Sequence, residues 1–295
     1  MLEDQTKLHF PRSGATAVPL HFSPRVLRCV AAGPGGHPLH VLIDTGTDPS
    51  AIDLGLARRL GLRLGDFALG SDAASNEVPF TETVLPWLRL GELTLRDIYL
   101  LAVDLSQMPF KVDLVLGYNV LSNLTLLIDY AGGMLHLSHP DLDLEEPGPG
   151  GAALPLSFFE HFPAIADATL LDAGPPAGEG AIALPLVTID TGSNSDLTLG
   201  PDLAERAGLR HGATGAEGVG QGFVAGCAVL QGTAAALRLG PFELADVSID
   251  APESRAGDLG RAGRANLGNG ILARFARVTL DYRRAVCVLE PPVRE

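Results

Sequence analysis

The chain has 295 residues, a formal net charge of −14, and 46% hydrophobic against 19% charged residues. That charge excludes nucleic acid or an anionic membrane surface as partner, since both need a basic footprint, while the length and apolar content suit a globular chain with two cores. No apolar run approaches the ~18 residues of a membrane span, and Cys29, Cys227 and Cys287 are too widely spaced for a zinc ribbon or disulfide framework.

In chain order, Met1–Leu8 has neither a basic nor an apolar leader pattern, so no signal peptide and a cytoplasmic location are expected. Residues 1–24 read as an extension of irregular and extended pieces. A strand over 25–31, a Gly/Pro turn over 32–36 and a strand over 37–43 form a hairpin that delivers Asp44-Thr45-Gly46-Thr47. Residues 53–60 read as a short helix closed by Gly61. A loop over 70–79 precedes Leu88-Arg89-Leu90-Gly91, and Leu116-Gly117 and Ile128-Asp129-Tyr130 follow. Residues 141–153 form an acidic, then Pro/Gly-rich linker, and Leu154–Phe158 reads as a strand tying two halves together. A second hairpin, 164–171 and 181–189 around a turn at 172–180, delivers Asp190-Thr191-Gly192-Ser193. A helix over 201–207 is closed by Gly208, and a Gly-rich loop at 212–226 precedes Leu237-Arg238-Leu239-Gly240. That loop suits a mobile lid or a plain surface loop.

The second half thus repeats the first. Asp44 and Asp190, Ala57 and Ala204, Leu88 and Leu237, Leu116 and Leu267, and Ile128 and Leu280 match in order, at offsets of 146, 147, 149, 151 and 152. A carboxylate at the end of a buried strand is costly unless it is satisfied or used. A turn Asp bonded to backbone N–H groups explains one copy but not the duplicated context. Two such residues in equivalent places point to one site made from two halves. Asp129 and Asp281, by contrast, read as turn residues before the last strands. His37 with His40 and His136 with His139 fall at i and i+3, on opposite faces of a strand, and chelate poorly. The cysteines, each among apolar neighbours, read as buried small hydrophobes.

This order of elements resembles the retropepsin-like aspartic proteases over residues 25–139 and 154–290. The resemblance implies an all-β fold of two tandem barrel domains with short helices, related by a pseudo-twofold axis and facing across a cleft. The domains would be 25–140 and 154–295, with 1–24 as extension. It also implies an aspartic endopeptidase acting on an extended peptide, with Asp44 and Asp190 as the catalytic pair and neither metal nor cofactor. Thr45 and Thr191 would cross-link the two loops, Gly46 and Gly192 would offer N–H groups, and Thr47 and Ser193 would hydrogen-bond the outer carboxylate oxygens. Gly117 and Gly268 would lie beneath the Asp loops. Neither candidate flap has a Tyr; Phe80 and Phe223 are the nearest aromatics. Retroviral members carry one unit and dimerise, so the site is expected within one chain, with a homodimer as the other arrangement. An inactive peptide-binding or scaffold protein is the alternative function.

Overall fold

The computed structural model describes residues 3–173, 180–209, 217–223, 226–253 and 255–292. Strands β1 (Lys7–His9) and β2 (Ala15–Pro19) come first, then the hairpin β3 (Arg28–Ala32) and β4 (Pro38–Ile43). After β5 (Ala51–Asp53) and helix α1 (Leu54–Arg59) come β6 (Phe67–Gly70), β7 (Val78–Leu90) and β8 (Leu93–Val103). The half closes with β9 (Leu114–Leu116), α2 (Tyr118–Leu121), β10 (Thr125–Asp129) and β11 (Met134–Ser138). The second half opens with β12 (Ala152–Phe159), β13 (Phe162–Ala173), β14 (Ala181–Ile189), β15 (Leu197–Leu199) and α3 (Pro201–Arg206). It continues through β16 (Glu217–Gln221), β17 (Gly226–Leu239), β18 (Phe242–Pro252), β19 (Ala265–Leu267), α4 (Asn269–Leu272), β20 (Arg277–Asp281) and β21 (Val286–Glu290).

Local chemistry accounts for the helices. Asp53 caps α1 by accepting the Leu56 N–H at 2.7 Å, and Gly61, at φ 66°, reverses the chain after it. Pro201 opens α3, where a missing N–H costs nothing, and Gly208 closes it at φ 79°. Parts of the turn expected at 172–180 and of the loop expected at 212–226 lie outside the described residues.

The architecture is all-β, two sheets with few, short helices. An eight-stranded sheet runs β1-β8-β5-β9-β4-β3-β7-β6, and a thirteen-stranded sheet runs β16-β17-β18-β15-β19-β14-β13-β12-β21-β20-β10-β11-β2. β4 pairs parallel to β9 and β5 parallel to β8 in the first; β14 pairs parallel to β19 and β15 parallel to β18 in the second. These parallel pairs put the ends of β4 and β14 in sheet interiors, where Ile43 and Ile189 are buried.

The tie between halves differs from the expectation at Leu154–Phe158. β12 pairs with β13 and β21, both in the second half. The halves join where β10 meets β20 antiparallel, from Thr125 opposite Asp281 to Asp129 opposite Arg277. A short turn closes β12 onto β13 at little entropic cost, whereas buried Leu126 and Ile128 give β10 an apolar face that meets buried Val278 and Leu280. The extended pieces before residue 25 are sheet members, β1 on β8 and β2 on β11. Arg284 donates to the carbonyls of Pro140 and Leu142, holding the start of the linker against the second half. Among the described residues, no helix is long and apolar enough to cross a membrane.

Candidate active site

The two hairpins deliver their Asp loops face to face. The Thr45 N–H donates to Thr191 Oγ1 at 3.1 Å, and the Thr191 N–H donates to Thr45 Oγ1 at 3.1 Å. Each hydroxyl then donates across the divide, Thr45 to the Ile189 carbonyl at 2.6 Å and Thr191 to the Ile43 carbonyl at 2.7 Å. Both threonines are buried, so four main-chain groups that water cannot reach are satisfied reciprocally.

This lock sets the Asp190 carboxyl against Gly46 of the first loop and the Asp44 carboxyl against Gly192 of the second. Asp44 Oδ1 accepts the Gly46 N–H at 2.8 Å, and its Oδ2 accepts the Thr47 hydroxyl at 2.7 Å. Asp190 Oδ1 accepts the N–H groups of Gly192 at 2.9 Å and Ser193 at 3.0 Å. A methyl group on Gly46 would lie 2.8 Å from the Asp190 carboxyl carbon, so the loops need Gly where they cross. The Asp44 carboxyl is raised above the ordinary carboxylate range by its burial first and by the Asp190 charge second, against the lowering hydrogen bonds from Thr47 and Gly46.

Ser193 departs from the expected arrangement. Its hydroxyl accepts the Ser195 N–H at 3.3 Å and does not reach Asp190. The outer oxygen of Asp190 is instead taken by Asn266, whose Nδ2 donates at 2.8 Å while its Oδ1 accepts the Thr188 hydroxyl at 2.7 Å. Asn266 comes from β19, across the parallel pairing from Thr188. The one available hint lay in aligning the halves: Asn266 stands where Val115 stands in the otherwise apolar Leu114-Val115-Leu116.

Gly117 and Gly268 pass beneath the loops. The next residues donate upward, Tyr118 N–H to the Thr47 carbonyl at 2.8 Å and Asn269 N–H to the Ser193 carbonyl at 2.9 Å. A methyl group on Gly117 would run into the Thr47 carbonyl, and one on Gly268 into that of Ser195. Each half also props the other. The Tyr130 hydroxyl donates to Asn269 Oδ1 at 2.7 Å, and the Asn269 amide donates to the Thr191 carbonyl at 2.7 Å. Tyr282 packs edge-on to Tyr118, 6.0 Å between centroids. Burial, then the Asp44 charge, raise its hydroxyl far above the ordinary phenol range.

Above the pair lies a cleft of about 960 Å³, of the size that holds several side chains. Two hairpins roof it, β6–β7 and β16–β17. Asp72, at the first tip, accepts the Ala74 and Ser75 N–H groups through Oδ1 and the Phe223 N–H of the other hairpin through Oδ2 at 2.7 Å. Phe80 and Phe223 pack on one apolar cluster with Leu42, Val78 and Val103. Cys29 and Cys287 are buried, but Cys227 is half-exposed and lines the cleft, because it sits on β17 opposite Gly220 rather than over the core. Arg264, 7% exposed, lines the same cleft with its guanidinium 4.2 Å from the Phe159 ring centre. Among the described residues no group of three or more His, Cys, Asp or Glu could hold a metal ion. Asp129 and Asp281 serve turns, accepting the N–H groups of Gly132 and Arg284, both at 2.7 Å.

Residues 30–120 match a family model described as aspartyl protease, which spans β4, the Asp44 loop, the first roofing hairpin and most of α2. No curated protein matches the chain.

Proposed function

We propose that the chain is a single-chain aspartic endopeptidase in which Asp44 and Asp190 form one proton-sharing pair. The observation that carries the reading is the pair of Asp loops locked by the reciprocal Thr45–Thr191 bonds, each carboxyl lying against the glycine of the opposite loop. Two carboxylates so close cannot both ionise cheaply, which is the known behaviour of aspartic-protease dyads.

The hydrogen bonds support one placement of the proton. Both Asp190 oxygens face N–H donors, from Gly192, Ser193 and Asn266, and an amide NH₂ can only donate. Asp44 Oδ2 meets only the Thr47 hydroxyl, which can donate or accept. The charge therefore rests on Asp190 and the proton on Asp44. Asp190 acts as general base on a water held between the two, and Asp44 donates to the scissile carbonyl oxygen as it gains charge. The proton taken by Asp190 then passes to the leaving amine as the C–N bond breaks, and a hydroxyl of the tetrahedral intermediate returns a proton to Asp44 as the C=O re-forms. Thr45, Gly46, Thr47, Thr191, Gly192 and Ser193 hold the pair in place, the last through its N–H.

The proposed units are residues 25–140 and 154–295, each giving one carboxyl within the same chain. The substrate is an extended peptide or protein segment that pairs its main chain with the roofing hairpins. The test is cleavage of a peptide library by the purified chain from acid to mildly alkaline pH, with and without a statine inhibitor. Cleavage blocked by the statine and abolished in Asp190→Asn is expected; undiminished cleavage by a folded Asp190→Asn sinks the reading.

A further inference from the structure

The two walls of the cleft stand on equivalent strand pairs but carry different chemistry. In the first half Leu42 of β4 pairs with Val115 of β9, and Ala51 of β5 with Leu101 of β8. In the second half the same pairings set Thr188 against Asn266 and Thr198 against Asp250. Leu42, Ala51 and Leu101 face the cleft on one side; Thr188, Thr198, Asn266 and Asp250 face it on the other. The first wall extends into the apolar cluster beneath Phe80, Met108 and Phe110. Every one of these exchanges puts a hydrogen-bonding or charged group where the first half has hydrocarbon.

Asp250 stands out on the polar wall. Its Oδ2 accepts the Ser195 hydroxyl at 2.7 Å and its Oδ1 the Gln231 amide at 3.1 Å, both neutral donors. Asp196, another acid of the cleft, is ion-paired with Arg274, and Asp48 is hydrogen-bonded to the His161 ring. Asp250 has no cationic partner among the described residues. A carboxylate offers about four lone-pair sites, and two are filled here. An apolar side chain laid on this wall would strip water from Asp250, Thr188 and Thr198 and give nothing back. A cation would restore both charge balance and hydrogen bonds.

We infer that the cleft selects its peptide by two unlike side chains, an apolar one against the Leu42–Leu101 wall and a cationic one, Lys or Arg, against Asp250. The inference rests on the reading of the cleft as a peptide site, but its test does not rest on cleavage. A set of peptides with a statine core in place of the scissile unit carries Lys, in turn, at each position flanking the core. A matched set carries norleucine there. Each is titrated by calorimetry into the full chain and into Asp250→Asn. The expected result is one position at which Lys binds about tenfold tighter than norleucine, a preference that collapses in Asp250→Asn. In the parent the same preference weakens between about 0.05 and 0.5 M salt, as an ion pair open to solvent must; this reading holds even if the variant does not fold. A Lys preference at no position, or one unmoved by both salt and Asp250→Asn, overturns the inference, as does failure of every peptide to bind. A chain that binds with this preference yet cleaves nothing removes the endopeptidase reading and leaves the side-chain selection standing.

Discussion

Thr45 and Thr191 each give their N–H to the other's hydroxyl at 3.1 Å, so neither Asp loop is complete without its counterpart. Replacing Thr45 by Val keeps the shape and removes the hydroxyl. The Thr191 N–H is then left buried without an acceptor, at a cost of about 1–3 kcal/mol. Thr191→Val behaves alike. Each change breaks its own two of the four bonds, so the departure of the double variant from the sum of the two, ~0.5–3 kcal/mol for residues in one network, measures how far each loop depends on the other. Urea denaturation of the four proteins measures this cycle.

Asn266→Val installs the residue found at the equivalent position of the first half. It removes the donor from the outer oxygen of Asp190 and so weakens the charged form of the proposed base. We expect kcat to fall ten- to a hundredfold, about 1.4–2.7 kcal/mol of barrier. KM stays near its parent value, and the acid limb of the rate profile moves to higher pH. Thr188→Val frees the amide to turn and shifts that limb in the same direction by less. A fall in kcat with an unmoved pH profile would assign Asn266 to packing alone.

The buried Asp44 carboxyl ties stability to pH. Burial, then the Asp190 charge, raise it from 3.8 to about 8. Its folded value lies above its unfolded value, so the stability it contributes is fully present below about 4 and is lost as pH rises through about 8. Asp44→Asn removes that dependence, and the variant melts above the parent at alkaline pH. Each kcal/mol corresponds to roughly 2–4 °C in a chain of this size. Thermal melts of both proteins from pH 4 to 9 test it, and parallel curves would refute it.

Gly117→Ala places a methyl group against the Thr47 carbonyl, which also accepts the Tyr118 N–H. The main chain on both sides must shift, at about 1–3 kcal/mol. Because Thr47 holds Asp44 Oδ2, activity falls further than stability alone explains. Comparing kcat with the melting temperature separates the two effects.

Asp281 is fully buried, ion-paired with Arg284 and bonded to the Thr125 hydroxyl of the other half at 3.0 Å. Asp281→Ala leaves Arg284 and Thr125 without it and costs about 3–5 kcal/mol. Calorimetric unfolding should show the halves beginning to separate from one another, as a broader or split transition.

What the residues revealed in advance follows how local each signal is. The hairpins before Asp44 and Asp190 and the helices closed by Gly61 and Gly208 depend on turn chemistry and alternation within a dozen residues, and all four form. The threonine cross-link and the N–H groups of Gly46 and Gly192 have no local signal of this kind; only the resemblance pointed to them. The β10–β20 junction was missed because any apolar alternating strand can pair with any other, and only the closed fold chooses among them. The resemblance implies the Ser193 hydroxyl as the partner of Asp190, but the donor on its outer oxygen, Asn266, lies 76 residues further on. Its parallel pairing with Thr188 aims an amide at the carboxylate, whereas the serine hydroxyl turns back to its own loop.

The pairing of Leu42 with Val115 on one side and Thr188 with Asn266 on the other means the two faces cannot be exchanged. An assembly of two identical chains has to present the same face twice, so a ligand laid across it meets the same surroundings whichever way round it lies. With both faces encoded separately in one chain, turning the ligand end for end is no longer a neutral operation. The groove acquires a direction.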